Sequence, residues 1–385
     1  MSSKWEKAYS ELKEYVATNQ QIEIDKTFIR LPENVRPDFY RLFNTVRETL
    51  IKEKYPTMLE EASVLSKNYT LIAGEVKKAL KVSEIKLTNE LAWFLNDPIN
   101  GLVRSLYDSL FDLLKEKIDI KTFEREAAEI TQDSFKKLFK QGYEKWVALS
   151  LINLIVPDKA MAVPIEEIKY HFEEPQWDER TGIREEYVPD IQKLETLYFG
   201  RNLEEDAFIT ANAILYSTKL NCYFSIGTDL VDATWSEREI SKKREWLQLK
   251  EIGRFYAQGI DSWPDLVIYI DDMPEDISLI ADFSRFCRPD VIVECVEWAD
   301  FYHNNELNII KQNYYLFKPK LGSYIVSRLP VSVNTKEEIK SNLAGGSNEE
   351  QLDIHILSVG YDQSKLIPVI DALASGDRKS PPVTN

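Results

Sequence analysis

The stretch from Pro264 to Pro330 decides the fold of the C-terminal half of this chain. Four segments of it have a clear pattern: PDLVIYIDD (264–272), RPDVIVECVEW (288–298), NELNIIKQNYYLF (305–317) and GSYIVSRLP (322–330). The first, second and fourth are short, rich in β-branched residues and bounded by Pro or Gly, which predicts strands, whereas the third is typical of a helix. A strand that is apolar on both faces, such as VIVECV (291–296), usually lies inside a sheet that helices cover. We therefore predict strand, strand, helix and strand within one α/β domain.

The first 157 residues show helical periodicity instead. Apolar residues recur at gaps of three and four, and proline falls between the sets or at their ends. These sets include Trp5, Tyr9, Leu12 and Val16; Phe39, Phe43, Val46 and Leu50; and Leu65, Tyr69, Ile72 and Val76. Because the gaps do not sustain a heptad, the pattern predicts a compact bundle rather than a coiled coil.

These patterns divide the chain into four parts. We predict a helical bundle over residues 1–157, a charged connecting loop or hairpin over 158–190, an α/β domain over 191–375 and a mobile tail over 376–385. The predicted fold class is α+β and multidomain, with a mixed, largely parallel sheet in the α/β domain. Inside that domain, the segment that follows Ser236 and ends at Gly259 is predicted to be a helix.

Composition limits the compartment and the partners. Lys and Arg number 48 against 64 Asp and Glu, giving a net charge of -16, which repels a polyanion and disfavours nucleic acid as a partner. The cysteines Cys222, Cys287 and Cys295 have no paired spacing, as expected in a reducing cytoplasm. The N-terminus is charged, and the longest apolar stretch, 146–156, is about half a membrane span. We therefore predict a cytoplasmic protein without membrane insertion.

Several common sites are absent from the sequence. It contains no GxxxxGK[ST] phosphate-binding loop, no GxGxxG after a strand and no GxSxG nucleophile elbow. His171, His303 and His355 have no metal-ligand spacing with one another or with the cysteines, so a zinc site is not predicted. The carboxylates of the stretch 264–330 remain as candidates.

Two of these carboxylates occupy notable positions. Asp265 follows Pro264 at the start of one predicted strand, and Glu294 lies within the next strand, 29 residues further on. A predicted helix that contains Gln312 and two tyrosines follows. This order resembles the restriction-endonuclease-like nuclease superfamily. The pattern of that family is Pro-Asp, a variable spacer, then Asp or Glu, any residue and Lys, with a helix behind it that often carries Gln and Tyr.

The resemblance implies a function for each of these residues. Asp265 and Glu294 would bind Mg²⁺ from adjacent strands, and the metal would stabilise the charge that develops on a phosphate. The family lysine helps to activate or position the attacking water, but Val296 stands at its place in this sequence. Lys311, beside Gln312 on the following helix, is the residue placed to substitute for it. The implied catalytic residues are therefore Lys311 and Gln312; without such a substitution the domain retains only the fold.

A purely structural interpretation of the same residues is also open. The order of elements is that of a generic doubly wound α/β domain, in which Asp271, Asp272 and Glu294 are acids at strand ends or inside a strand. Pro-Asp before an apolar run often opens a strand in such folds. Glu294 is informative under both interpretations, because a Glu in an apolar strand must be paired, metal-bound or protonated, or must reach solvent.

Two functional hypotheses follow. In the first, the chain is a non-catalytic cytoplasmic binding or scaffold protein that docks to partner proteins through its acidic α/β domain and its helical bundle, without a cofactor. In the second, it is a metal-dependent nuclease-like protein that uses Mg²⁺. The net charge favours the first hypothesis, and the order of strands and acids favours the second.

Overall fold

The computed structural model describes residues 3–162, 192–199, 209–210, 213–228, 246–248, 264–274, 279–281, 285–298, 301–303, 305–343 and 352–375. The predicted loop over 158–190 falls largely outside these ranges, and the predicted tail over 376–385 falls wholly outside them. The bounds predicted for the four parts of the chain therefore stay predictions.

The described helices are concentrated in the first 155 residues. They are α1 (Lys4–Thr18), α2 (Arg36–Lys54), α3 (Pro56–Leu80), α4 (Asn89–Asn96), α5 (Pro98–Val103), α6 (Tyr107–Leu114), α7 (Ile120–Ile155), α8 (Glu306–Phe317), α9 (Val333–Leu343) and α10 (Ile367–Ser375). In the described part of the chain, no helix is both long enough and apolar enough to cross a bilayer.

The described strands are mostly short. They are β1 (Glu23–Ile24), β2 (Ile29–Arg30), β3 (Glu84–Lys86), β4 (Lys159–Ala162), β5 (Gln192–Lys193), β6 (Thr196–Tyr198), β7 (Ile209–Thr210), β8 (Ala213–Ser217), β9 (Cys222–Thr228), β10 (Trp246–Gln248), β11 (Leu266–Asp271), β12 (Leu279–Ala281), β13 (Arg285–Cys287), β14 (Val291–Val296), β15 (Ser323–Ser327) and β16 (Ile354–Ser358). Eight of them form the principal sheet, in the order β16-β15-β14-β11-β9-β8-β4-β5.

The chain divides into two compact units. Unit one contains residues 1–70 and 89–142, and unit two contains residues 71–88 and 143–385. Two of the three divisions fall inside a helix, between Thr70 and Leu71 of α3 and between Gly142 and Tyr143 of α7. Each of these helices therefore contributes residues to both units.

Unit one is built from the predicted apolar stripes. Its first helix begins with a capping box, in which the Ser3 hydroxyl accepts from the Glu6 amide and the Glu6 carboxylate accepts from the Ser3 amide. Trp5, Tyr9 and Leu12 on this helix are buried, as are all four apolar residues of the stripe on α2. These stripes pack into a core because each presents one continuous apolar face.

Unit two contains the principal sheet. The pairs β14–β15 and β15–β16 are parallel, whereas the other five pairings of the sheet are antiparallel. The predicted α+β class and the mixed sheet are confirmed, but parallel pairing is limited to three strands where we predicted a largely parallel sheet. The physical reason is connectivity: α8 and α9 supply the helical crossovers that parallel neighbours need, while β8 and β9 are joined by a short turn.

The prediction of a helix after Ser236 is wrong for residues 246–248, the part of that segment that the structure describes. Within the segment from Ser236 to Gly259, residues 246–248 form β10, which pairs antiparallel with β13. The remainder of that segment lies outside the described residues. Pairing with a strand about 40 residues away along the chain supplies hydrogen bonds that the local helical pattern did not anticipate.

Helices α8 and α9 cover one face of the parallel part of the sheet. The buried apolar residues of the core there are Val296, Phe301, Leu307, Ile310, Ile325, Ile339, Leu343, Ile354 and Ile356. Residues of β14, β15 and β16 alternate between this face and the opposite one, as strand geometry requires. Glu294, two residues before Val296, therefore lies on the face that α8 covers.

Candidate functional site

Asp265 and Glu294 lie across from each other on neighbouring strands. β11 and β14 are antiparallel, with Leu266 opposite Val293 and Ile268 opposite Val291. Asp265 immediately precedes β11, so the same register places it opposite Glu294. The fold thus brings together the two acids that the resemblance assigns as metal ligands, although they are 29 residues apart in sequence.

The Asp265 carboxylate is bound to the backbone of the neighbouring strand. Its Oδ2 accepts a hydrogen bond of 2.7 Å from the Cys295 amide of β14. Carboxylates that accept from backbone amides are well satisfied, because the donor is fixed and the bond is charge-assisted. Asp265 thereby holds the start of β11 against β14.

A second aspartate forms the matching bond at the other end of the same strand pair. Asp290 follows Pro289 just before β14, as Asp265 follows Pro264 just before β11. Its Oδ2 accepts a hydrogen bond of 2.8 Å from the Ile270 amide of β11, and its Oδ1 lies 3.3 Å from Lys320 Nζ. Both Pro-Asp pairs therefore use the aspartate to bind an amide of the opposite strand.

Glu294 is buried and bound to a neighbour that sequence reasoning missed. It is 4% exposed, and its Oε1 accepts a hydrogen bond of 2.8 Å from Asn313 Nδ2 on α8. Asn313 is itself 0% exposed. The sequence did contain a signal for it: Asn313 follows Leu307 and Ile310 at helical spacing and precedes Phe317, so it is a polar residue within an apolar stripe.

The amide oxygen of Asn313 has a different environment from its nitrogen. Asn313 Oδ1 is buried and finds no hydrogen-bond donor within the described ranges. Buried polar atoms normally have a partner, and an amide oxygen can accept two hydrogen bonds or bind a cation such as Mg²⁺. This oxygen, on the residue that binds Glu294, therefore has unused capacity to accept.

The position at which the resemblance would place a lysine is apolar in structure as well as in sequence. Val296 is 1% exposed and belongs to the core beneath α8 and α9, in contact with the cluster that contains Ile310 and Ile325. The side chain that follows Glu294 on the same face of β14 therefore contributes packing and no charge.

Lys311 and Asn313 lie on different sides of α8. Successive residues of an α-helix are about 100° apart, so Lys311 lies about 200° around α8 from Asn313, the residue that contacts Glu294. Its Nζ lies 6.0 Å from the centre of the Tyr315 ring, and the residue is half-buried. Gln312, also half-buried, is about 100° from Asn313. The catalytic assignments of Lys311 and Gln312 stay predictions.

The acids of the alternative interpretation are elsewhere. Asp271 ends β11 and Asp272 follows it, six and seven residues beyond Asp265, which corresponds to about 20 Å along an extended strand. The Asp272 amide donates to Asp271 Oδ1 at 2.7 Å. These two aspartates therefore lie at the opposite end of β11 from Glu294.

The residues present fit a structural pair of carboxylates better than a metal-dependent nuclease centre. One oxygen of each acid is already hydrogen-bonded, and the charged helper residue is replaced by a core valine. Among the described residues, no group of three or more His, Cys, Asp and Glu side chains is placed to hold a metal ion. Asp265 and Glu294 nevertheless offer the oxygen ligands that Mg²⁺ prefers.

Comparisons with known proteins give no relative. No family model, no curated protein and no solved structure matches this chain. The arguments for its function therefore come from its own residues.

Proposed function

We propose that this chain is a non-catalytic cytoplasmic binding or scaffold protein that docks to partner proteins. In this proposal the order of strands and acids resembles that of a nuclease, but the acids serve only to stabilise the sheet. The observation that carries the proposal is the matched behaviour of Asp265 and Asp290, each of which follows a proline and binds an amide across the β11–β14 pair. A structural role explains both residues, whereas a metal-binding role explains only one.

The surroundings of Glu294 support the same proposal. The residue is buried, it is bound by Asn313, and Val296 lies beside it on the same face of β14. A buried carboxylate costs free energy unless hydrogen bonds satisfy it, and Asn313 supplies one such bond. Glu294 thus links the sheet to α8.

The buried thiols agree with a reducing compartment. Cys222 and Cys295 are both buried and are not in disulfides. Disulfides are rare where glutathione keeps thiols reduced, so two cysteines outside disulfides favour the cytoplasmic part of the proposal.

The test compares the two aspartates directly. We expect Asp265→Asn and Asp290→Asn each to lower the melting temperature, since each loses a charge-assisted hydrogen bond. Neither Mg²⁺ nor Mn²⁺ should raise the melting temperature of the wild-type chain or of either variant, because a ligand that does not bind the native state cannot stabilise it. Labelled single-stranded and double-stranded DNA and RNA should remain intact in the same buffers.

Two results would overturn the proposal. If Mg²⁺ or Mn²⁺ stabilises the wild-type chain and the Asp290→Asn variant but not the Asp265→Asn variant, Asp265 is a metal ligand and the proposal fails. Metal-dependent cleavage of a labelled nucleic acid that disappears in Glu294→Gln would overturn it as well.

A metal-dependent nuclease-like function is the second candidate. The opposed positions of Asp265 and Glu294 and the unsatisfied Asn313 Oδ1 favour it, since together they offer carboxylate and amide oxygens from adjacent elements. The metal titration above separates the two candidates, and Asn313→Leu should abolish any stabilisation by Mg²⁺ if the amide oxygen is a ligand.

A further inference from the structure

Unit one carries a surface on which arginine and aromatic side chains alternate. We call it the arginine–aromatic patch; it is formed by Tyr40 and Arg47 of α2, Trp93 of α4, Arg104 just after α5 and Tyr107 at the start of α6. None of these residues belongs to the candidate site in the sheet. Sequence periodicity did not single them out, because they come from four separate elements.

Direct contacts connect the patch from end to end. The hydroxyl groups of Tyr40 and Tyr107 are 3.3 Å apart. The Arg47 guanidinium carbon lies 5.4 Å from the centre of the Tyr107 ring, and that of Arg104 lies 3.3 Å from the centre of the Trp93 ring. Arg47 Nη1 donates to the carbonyl of Val103, the residue before Arg104, at 2.9 Å. The five side chains therefore form one continuous cluster, in which Arg47 is buried and Trp93, Arg104 and Tyr107 are exposed.

Arg47 is held rigidly at the centre of this surface. It is 7% exposed, its Nη2 donates to Asn44 Oδ1, and its guanidinium also stacks 4.8 Å from the Phe43 ring. Its Nε is buried and has no hydrogen-bond acceptor within the described ranges. Burial lowers the pKa of Arg47, and the neighbouring Arg104 lowers it further. The two positive charges are therefore close together and only partly solvated.

Acids do not neutralise this pair of arginines. Within the described part of the chain, neither Arg47 nor Arg104 forms a salt bridge. Glu48 lies close enough to act on Arg47, but its carboxylate is bound to Lys52 at 3.0 Å. In a chain with a net charge of -16, two adjacent arginines without an acidic partner form a local site of opposite sign.

Two aromatic members of the patch, Trp93 and Tyr107, are exposed. Trp93 is 37% exposed and Tyr107 is 38% exposed. Trp, Tyr and Arg are the residues that dominate binding energy at protein interfaces, because they combine large apolar area with a polar or charged group. Ordinary core packing does not require two such rings to remain at the surface.

We propose that the arginine–aromatic patch is a docking site for an acidic segment of a partner protein. Carboxylates of the segment pair with the exposed Arg104, while apolar side chains of the segment pack on Trp93 and Tyr107; the buried Arg47 adds positive charge beneath them. Guanidinium groups bind carboxylates in two parallel hydrogen bonds, which gives geometric specificity. This inference names the class of partner for the docking function proposed above, and it rests on that function.

The charge balance favours a protein segment over a nucleic acid. Binding to a nucleic acid strand usually neutralises several phosphates, and the net charge of -16 repels a long polyanion. Two arginines match the few carboxylates of a short acidic segment. Complementary charge of this kind speeds association and excludes partners of the wrong sign.

The test uses the full-length chain and fluorescence anisotropy with three labelled probes. These are a peptide of alternating Glu and Ser with a central Leu, the same peptide with Gln in place of Glu, and an oligothymidylate. We expect the acidic peptide to bind and the Gln peptide to bind at least about tenfold more weakly. Arg104→Glu should weaken binding of the acidic peptide by about tenfold or more, which corresponds to the loss of one charge-assisted contact.

A matched variant controls for the change in net charge. Arg125 is an exposed arginine on α7 in the same unit, and Arg125→Glu alters the total charge as Arg104→Glu does. It should leave peptide affinity within about twofold of wild type. Tyr107→Ala tests the apolar part of the patch and should weaken binding without changing its dependence on salt. Circular dichroism of each variant verifies that it is folded.

Three outcomes would overturn the inference. The first is equal affinity for the acidic peptide and the Gln peptide. The second is an equal effect of Arg104→Glu and Arg125→Glu on peptide affinity, and the third is no detectable binding below about 1 mM, the weak end of specific affinity. Binding of the oligothymidylate alone, lost in Arg104→Glu, would assign the patch to nucleic acid instead. None of these results bears on the metal titration, so this inference can fail while the non-catalytic function stands.

Discussion

Asn313 links a helix to a sheet through one buried hydrogen bond. Its Nδ2 donates to Glu294 Oε1 at 2.8 Å, and both residues are buried. Water therefore does not compete for this hydrogen bond. We expect Asn313→Ala to lower the free energy of unfolding by about 2 kcal/mol, the range for a hydrogen bond to a charged group. Chemical denaturation in urea measures this change.

The control for this substitution is on the same helix. Asn308 is exposed on α8, and its Nδ2 donates to Asn305 Oδ1 at 3.3 Å. Asn308→Ala should change the free energy of unfolding by no more than about 0.5 kcal/mol. Equal effects of the two substitutions would show that the bond to Glu294 contributes nothing of its own.

Asp158 should make stability depend on pH in the acid range. The hydroxyl and the amide of Thr218 hydrogen-bond to its carboxylate and hold the pKa of Asp158 below its usual value. A carboxyl with a lowered folded-state pKa contributes stability that is complete above its unfolded pKa, about 4, and is lost as the pH falls through the folded pKa. As the pH falls below about 4, the Asp158→Asn variant should therefore lose less stability than the wild-type chain.

Unfolding in urea across a series of acidic buffers measures this difference. Asp133→Asn, at an exposed position of α7, is the control and should reproduce the wild-type dependence on pH. If Asp158→Asn also reproduces it, the bonds from Thr218 do not favour the ionised carboxylate.

At the scale of the helices, substituting alanine for glycine should lower stability at one position and raise it at another. A Cβ on Gly101 of α5 would lie 2.5 Å from the Phe94 Cα of α4, whereas a Cβ on Gly74 of α3 would meet nothing within 4 Å. Gly101→Ala should destabilise the chain by about 2 kcal/mol or more, because backbone cannot move aside as a flexible side chain can. Gly74→Ala should stabilise it by about 1 kcal/mol, because alanine favours the helix.

Thermal unfolding of the two variants in one buffer provides the comparison. A stabilising effect of Gly101→Ala would contradict the close approach of α4 and α5. A destabilising effect of Gly74→Ala would contradict the open space beside α3.

The strand pair β11–β14 shows how far element-scale prediction from sequence can go. Pro264-Asp265 and Pro289-Asp290 both mark the start of a strand, and both strands are found. The sequence also indicated that Glu294 must be satisfied by a partner, and the structure supplies Asn313. It could not indicate which amides the aspartates bind, because those amides are 20 and 30 residues away in the chain and depend on the register of pairing.

At the scale of the whole molecule, the two compact units make a prediction about truncation. Residues 143–155 belong to unit two, where Tyr143 and Trp146 pack against Tyr361 and the Ser217 hydroxyl donates to the Ile155 carbonyl. A fragment of residues 1–157, the predicted bundle, lacks these partners. We expect it to expose apolar surface, bind the dye ANS and aggregate, because large exposed apolar patches promote association.

The full-length chain, which keeps these contacts, is the control and should not enhance ANS fluorescence. Size-exclusion chromatography and near-ultraviolet circular dichroism complete the measurement. A monomeric 1–157 fragment with a native-like aromatic signal would show that the predicted bundle folds without residues of unit two.

The sequence by itself determined the local elements of this protein: the helical stripes that contain Trp5 and Phe39, the apolar strand that contains Glu294, and the α+β class. Periodicity of apolar residues is a local property, so it can be found without knowing what each element packs against. Only the tertiary structure decided that most strand pairs are antiparallel, that residues 246–248 form a strand, and that Asn313 of α8 binds Glu294. These features depend on pairing register and helix orientation, which arise from contacts between residues far apart in the chain.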